Sequence, residues 1–482
     1  MSTRRALAFS YLDRYASLGL FVVSSMIIAR LLTPTQVGIY SITMVMIGFI
    51  SPFRDFGASQ YLINEKELTT DRIRAVWAIQ LGLSVLLALV IFSLRGVAAD
   101  FYREPLIRDI MVVLALNSLV IPFGALTSAW LTRELRFDRL AIVRFSGNLA
   151  GSSTSVYFAW QGHGPISLAY GALATTLISA LAATYFRPSH FPWLPGLREL
   201  RRVAGFGSAI SGITLLNIAY TGTAELILGR LQGMHATGLF GRAQGLVLLF
   251  ERLLMDSVHS VALPAFSKLR KEDQEVGGAF IHSIAMIAVL GWTLLTYLAL
   301  LAYPMITLLY GDQWKESVDL ARLLCLGMDC MLLTALSPAL LIAVGKRWVA
   351  LQLNLVNLVV QAAFCLVGAL TSLEALGWAI VAASVLLSLI WLHVTQRIVG
   401  FRRRALLGAL ARSFLVAAAA LVGPLLTVAY FGLRPDNVLP PLILSGLGLA
   451  AGFLGAAWRL RHPVWTEILQ LLDGALARFK QA

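Results

Sequence analysis

The chain has 482 residues, 58% of them hydrophobic and only 13% charged, with a mean hydropathy of +0.77 and a formal net charge of +14. Soluble globular domains carry about 25% charged residues, so the composition excludes one and places the chain in a bilayer. The positive balance invites nucleic acid as a partner, and the placement of the basic residues excludes it.

A spanning helix needs about 20 apolar residues. Taken in chain order, segments of that kind predict fourteen helices, near 10–32, 37–62, 74–94, 109–131, 143–160, 166–186, 203–226, 236–262, 278–308, 318–344, 349–371, 375–396, 412–431 and 438–458. Asp13 and Arg14 interrupt the first apolar run, so it reads as a retained helix and not as a cleavable leader. The uncharged stretch 145–186 is long enough for two helices, and Gln161-Gly162-His163-Gly164-Pro165 supplies the turn between them. The small residues Gly151 to Ser155 point to close helix packing. Cys325, Cys330 and Cys365 fall inside helices at no metal-ligand spacing and read as packing residues, so no metal site is expected. Beyond the last span, 464–480 places Trp465, Ile468, Leu469, Leu472, Leu476 and Phe479 on one face, the pattern of a helix lying on the membrane surface.

The loops between these helices are short, and alternate ones are basic. With the N-terminus inside, the even loops and the two termini hold 27 of the 39 Lys and Arg, while the opposite loops and helix ends hold six: Arg95, Arg103, Arg108, Arg230, Lys315 and Arg434. That asymmetry is the positive-inside pattern. It puts both termini in the cytoplasm and accounts for the net charge without nucleic acid. The longest outer connection, near 95–108, has room for little more than a turn of helix, and no phosphate-binding loop of the G-x-x-x-x-G-K-[ST] kind occurs. A membrane enzyme of polysaccharide assembly, which needs acids and bases on a sizeable outer loop, is thereby disfavoured, and no catalytic residue is expected.

The stretch MIIARLLTPTQVGIY, 26–40, has an echo 200 residues later in LILGRLQGMHATGLF, 226–240, aligning Arg30 with Arg230, Gly38 with Gly238 and Tyr40 with Phe240. Phe101-Tyr102 against Leu309-Tyr310, and Pro122 against Pro338, extend the match. An interval of six helices preserves orientation, so the repeat is parallel. Two six-helix bundles related by an axis along the membrane normal are a transporter plan, with substrate bound between the halves. The expectation is therefore an all-α integral membrane protein with an N-terminal bundle over 1–202, a second bundle over 203–400, helices 13 and 14 over 401–461, and a cytoplasmic interfacial helix over 462–482.

The stretch ARLLTPTQVGIY, the segment FRDFGASQYLI at 53–63 and LILGRLQGMHATGLFGRA at 226–243 resemble the polysaccharide transporter family of the multidrug, oligosaccharidyl-lipid and polysaccharide exporter superfamily. The resemblance covers the start of both halves and the hydropathy of nearly the whole chain. It implies two bundles around a cavity in the bacterial inner membrane. It also implies movement of an undecaprenyl-pyrophosphate-linked oligosaccharide to the outer leaflet, for a lipopolysaccharide or exopolysaccharide, beside a polysaccharide polymerase and export machinery.

Ionisable residues at bilayer depth are costly, so each one calls for a partner, an aqueous cavity or a function. They gather on four predicted helices related by the repeat: Asp13 and Arg14 on the first, Arg54 and Asp55 on the second, Glu225 on the seventh, and Arg242, Glu251, Arg252 and Asp256 on the eighth. Arg322 and Asp329 lie on the tenth. Arg14, Arg54 and Arg252 fall at comparable inner depths and Arg242 further out; guanidinium groups stay charged at low dielectric and grip phosphate with two N–H groups at once. These four are the candidate contacts for pyrophosphate or an anionic glycan. Asp55, Glu225, Asp256 and Asp329 are the candidate cavity acids, with sodium or proton as the coupling ion and no other cofactor. The competing reading pairs Arg252 with Asp256 and leaves Asp55 to pack a helix end, while Arg30 and Arg230 snorkel from outer helix ends. A cation-coupled exporter of small molecules is the alternative function, and it calls for an acidic cavity, not a basic one.

Overall fold

The computed structural model describes the backbone of residues 3–55, 57–65, 67–189, 191–432 and 437–470, and side-chain surroundings for these except within 3–14, 54–55, 201–202, 204–214, 249–254, 256–257 and 260. The described elements are helices, without strands. Ten of them are long and apolar enough to cross a membrane by length and composition. The fold is thus that of an all-α, multi-pass integral membrane protein, and each of the fourteen predicted segments falls on a helix or on a helix with a break in it.

The chain divides into two compact units, Met1–Gly241 and Arg242–Ala482. The first unit holds α1 (Thr3–Leu31), α2 (Pro34–Asp55), α3 (Ala58–Asn64), α4 (Thr70–Tyr102), α5 (Leu106–Arg133), α6 (Phe137–Trp160), α7 (Ile166–Tyr185) and α8 (Leu200–Leu231); α9 (Met234–Lys271) begins in it and continues past the boundary. Within it α4 packs on α5, α5 on α7, α6 on α7, α1 on α6, and α8 on α2, α3 and α4. One buried cluster gathers Ile39, Ile42, Ile91, Ile107, Ile110 and Met111. Another gathers Tyr61, Trp77, Leu126, Phe191 and Val203.

Local chemistry sets the helix ends. Thr33 and Gln36 exchange side-chain-to-backbone bonds of 3.0 and 3.3 Å at the start of α2, a reciprocal cap that satisfies two orphan N–H groups. The single helix expected over 37–62 is instead α2 and α3, because Gly57 sits at φ +68° and only a residue without Cβ takes that turn cheaply. The helix before the connection at 95–108 runs on to Tyr102, leaving a link of only three residues before α5. The turn at 161–165 lies where the sequence places it, with Gly162 and Gly164 both at positive φ. Gly151 in α6 lies so near α7 that a Cβ there would come within 2.7 Å of the Gly171 carbonyl, the close approach its small neighbours announced.

The second unit continues with α10 (Val276–Leu300), α11 (Ala302–Tyr310), α12 (Ser317–Met331), α13 (Ser337–Ala343), α14 (Arg347–Ala369), α15 (Leu373–Val399), α16 (Arg403–Ala420), α17 (Val422–Phe431) and α18 (Leu439–Arg459). Three predicted helices are broken here: 278–308 at Leu301, 318–344 at the 3-10 turn Leu332–Thr334, and 412–431 at Leu421. Each break is followed within a few residues by a proline, Pro304, Pro338 or Pro424, which lacks an N–H for the preceding turn. Trp160, Tyr185, Trp348, Trp378, Tyr430 and Trp458 stand exposed near helix ends, where amphipathic rings meet headgroups. After α18 the chain is helical over 463–470, and Val464, Trp465 and Ile468 pack on a cluster of Val289, Val416 and Ala457. The start of the expected surface helix is therefore docked on the bundle; Leu469 is exposed, and Leu472, Leu476 and Phe479 lie outside the described residues.

Candidate functional site

The echo in the sequence has a geometric cause. α1 ends at Leu31 and α2 begins at Pro34; α8 ends at Leu231 and α9 begins at Met234, so both corners recur at the same offset. The two glycines of the echo face each other. A Cβ on Gly38 would collide with the Met234 carbonyl, and one on Gly238 would collide with the Pro34 carbonyl. Pro34 and Met234 are themselves repeat-equivalent, so the contact is reciprocal, and α2 crosses the first turn of α9 backbone on backbone.

The same crossing continues along α8. Gly222 lies against Val45 and Gly229 against Ile42 and Tyr102, which turns the intervening Glu225 toward α2. Glu225 is buried, and a Cβ on Gly241 would stand 3.4 Å from its Oε1 and 3.3 Å from Ser41 Oγ. Arg30 and Arg230 occupy exposed positions one residue from the ends of α1 and α8. Arg230 rests over the Phe101 ring at 5.2 Å, a surface setting that suits the snorkelling reading.

Within the second unit Arg242 is flanked by two aromatic faces, its guanidinium carbon 5.2 Å from the Tyr310 ring centre and 5.0 Å from that of Trp314. Trp314 is fully buried on the 3-10 turn Asp312–Trp314 that follows α11. Cation–π contact of this kind holds a guanidinium where water is scarce. Arg322 donates to Asp319 Oδ1 at 2.8 Å and to the Ala299 carbonyl at 3.3 Å. Asp329 accepts from Thr296 Oγ1 at 3.3 Å. His163 packs edge-on against Phe158. Arg14, Arg54, Asp55, Arg252 and Asp256 lie on α1, α2 and α9, and their side chains fall outside the described residues.

Among the described residues no group of three His, Cys, Asp or Glu side chains could hold a metal ion. The three cysteines are free, with Cys325 and Cys365 buried. Two partners of the candidate residues escaped the sequence reading, the Tyr310/Trp314 pair around Arg242 and the Thr296 hydroxyl on Asp329. The motif Tyr310-Gly311-Asp312-Gln313-Trp314 carried a signal for the first, since Leu309-Tyr310 is the repeat partner of Phe101-Tyr102, and Phe101 also lies beneath an arginine.

These features define a polytopic helical membrane protein. Across 94% of its length the chain is similar to the lipid II flippase MurJ in an inward closed conformation, with a TM-score of 0.74, 98% of that chain covered and 13% identity. It is also similar to an inward-facing multidrug resistance MATE family transporter, with a TM-score of 0.66, 82% of this chain and 98% of that chain covered, and 14% identity. The model of the family described as "Polysaccharide biosynthesis protein" matches residues 27–319, and the chain belongs to that family. Curated relatives include the lipopolysaccharide biosynthesis protein WzxC of Escherichia coli K12, 23% identical over 64% of this chain and 63% of its own length. The succinoglycan biosynthesis transport protein ExoT of Rhizobium meliloti is 22% identical over 67% of this chain and 65% of its own length. The match thus spans about two thirds of either relative.

Proposed function

We propose that the protein is a transporter, not an enzyme, and that it moves a polyprenyl-pyrophosphate-linked oligosaccharide from the cytoplasmic to the outer leaflet of a bacterial inner membrane by alternating access, with both termini in the cytoplasm. The observation that carries this reading is the conjunction of family and architecture. A polysaccharide biosynthesis family member whose described length is membrane helix joined by short links has the build of something that carries a glycan across, and relatives named for succinoglycan transport and lipid II flipping support it. In this reading Arg14, Arg54 and Arg252 meet the pyrophosphate, because only a fixed countercharge offsets the cost of stripping water from it. A polysaccharide polymerase in the same membrane is the natural recipient of the flipped substrate. A cation-coupled small-molecule exporter is the second reading, favoured by the carboxylates Glu225, which is buried, and Asp329, which is half-buried.

The test is reconstitution. Purified protein in vesicles loaded with undecaprenyl-pyrophosphate oligosaccharide in one leaflet should raise the rate at which an impermeant glycosidase gains access to the glycan. R14Q, R54Q and R252Q should each slow that rate at unchanged abundance, with Lys restoring part of it. No acceleration by the parent protein sinks the flippase reading, and normal rates in all three variants remove these arginines from it.

A further inference from the structure

The 27-residue apolar span Ser317–Ala343 has a carboxylate at its centre and a break immediately after it. α12 carries Asp329 about 18 Å from its first residue, at 1.5 Å of rise per residue, and two residues further on the α-helix gives way to the 3-10 turn Leu332–Thr334 before α13 starts. Side chains of neighbouring helices catch the carbonyls at this point: Trp292 Nε1 of α10 donates to the Asp329 carbonyl at 3.0 Å, and Ser388 Oγ of α15 donates to the Cys330 carbonyl at 2.8 Å. Broken helices near the midplane are where transporters place their coupling ions.

The carboxyl group itself is half provided for. Thr296 Oγ1 of α10 donates to Oδ2 at 3.3 Å, while Oδ1 is buried without a hydrogen-bond partner. Among the described residues, the groups bonded at this point are Thr296 on the Asp329 carboxyl, Trp292 on its carbonyl and Ser388 on the next carbonyl, and Cys325 and Cys330 of its own helix lie nearby. None of these is basic. Arg322, two turns earlier, donates from Nη1 to Asp319 and from Nε to the Ala299 carbonyl, and its Nη2 is buried without a hydrogen-bond partner; no ion pair joins it to Asp329 among the described residues. Among the described residues, an ionised Asp329 therefore stands at mid-span with one neutral donor and no countercharge, the arrangement that burial penalises most. A proton removes that charge and is the one ligand a single carboxyl can bind unaided. A metal cation asks for several oxygens turned toward it, and among the described residues the one side-chain oxygen bonded to the carboxyl, Thr296 Oγ1, points its proton at it.

We propose that Asp329, at the break between α12 and α13, is a proton-binding site whose loading and release couples transport to the proton gradient. The inference rests on the transport reading above for its consequence, and on the geometry of the second unit for the site.

The experiment has a binding arm and a transport arm, both on the full-length protein in lipid. Infrared difference spectroscopy across a pH titration should show the carbonyl stretch of a protonated carboxylic acid that fades as pH rises, is lost in D329N and persists in E225Q. On the unaltered protein a hydrophobic carbodiimide, which attacks protonated carboxyls in apolar surroundings, should label Asp329, as read by peptide mass spectrometry, and the label should fall with rising pH. This measurement holds even where D329N fails to fold. In vesicles an imposed pH gradient should speed glycan translocation by the parent protein and by D329E, and leave D329N unmoved. A titrating band that survives in D329N, or an unlabelled Asp329, overturns the proposal. Loss of the band on adding sodium at fixed pH overturns it in favour of a metal cation. A band that titrates and vanishes in D329N, in a protein that moves no lipid-linked glycan, keeps the proton site and rejects the flippase reading.

Discussion

α2 and α9 begin alike and end differently. Both start a few residues after an arginine-bearing helix end and both place a glycine five positions in, Gly38 and Gly238, against the other's backbone. α2 then stops at Asp55, where Gly57 turns the chain at positive φ into α3, whereas α9 runs for 38 residues through Pro264 to a basic last turn of Lys268, Arg270 and Lys271. What the two copies share is the part where they touch. Reciprocal contact at a pseudo-two-fold crossing constrains both glycines at once, since a side chain on either meets a carbonyl of the other helix, while the far ends meet different neighbours and are free to diverge.

That distinction can be broken at its centre. Replacing Gly38 or Gly238 with Ala should sharply lower the amount of protein in the membrane. A Cβ at either place meets backbone, which yields only if the whole helix moves; overpacking of this kind costs about 1–3 kcal/mol, and more where no flexible side chain can give way. Gly245, further along α9 and with no atom within 4 Å of where its Cβ would stand, is the control. G245A should leave abundance unchanged or raise it slightly, by the roughly 0.5–1 kcal/mol that Ala gains over Gly in a helix. Equal abundance of all three variants, measured by quantitative blotting of membranes, would dismiss the crossing as the reason for the echo.

A sharper question separates the two half-buried charges of the second unit. Arg242 is enclosed by Tyr310 and Trp314, while Asp329 has an oxygen with no bonded partner. The first arrangement sets a cation against two ring faces, and the second gives an anion one hydroxyl donor. R242Q should therefore act on the fold, lowering thermal stability in detergent by an amount in the range of about 1–2 kcal/mol expected of desolvated cation–π contact, with W314L reproducing much of the loss. A variant R242Q of unchanged stability that fails to export glycan would return Arg242 to the substrate cavity, where the sequence alone had put it.

How far the sequence speaks depends on what each signal measures. Hydropathy located the helices because every spanning segment must satisfy its backbone internally, and the echo located the crossing because only glycine fits there. The breaks at Gly57, Leu301, Leu332 and Leu421 were harder to see. Apolar composition continues straight through them, and a proline a few residues on is compatible with an unbroken helix, as Pro52, Pro122 and Pro264 show. The candidate site residues stood out as charges in apolar runs. Their partners were not, because Thr296, Tyr310 and Trp314 are ordinary residues of membrane helices and acquire their role only from the neighbour that folding brings to them.

A pH-dependent effect concerns a joint outside the spans. His462, just past α18, is buried at 1% exposure; its Nδ1 accepts from Val464 N at 3.2 Å, so the ring proton sits on Nε2 and is donated to Ser413 Oγ at 3.1 Å. Ser413 in turn donates to the Ala285 carbonyl at 2.9 Å, joining α10, α16 and the segment after α18. Burial, and then the nearby Arg412 and His282, push its pKa down to about 4 from an ordinary 6.5. The unfolded chain takes up the proton first as pH falls, so unfolding binds a proton between these two values and stability rises with pH across that window. The contribution is whole above pH 6.5, shrinks as pH drops toward 4, and changes no further below it, where both states are protonated. H462Q, which cannot titrate, should flatten this part of the melting-temperature profile relative to the parent, and an unchanged slope between pH 6.5 and 4 would assign the acid sensitivity to another group.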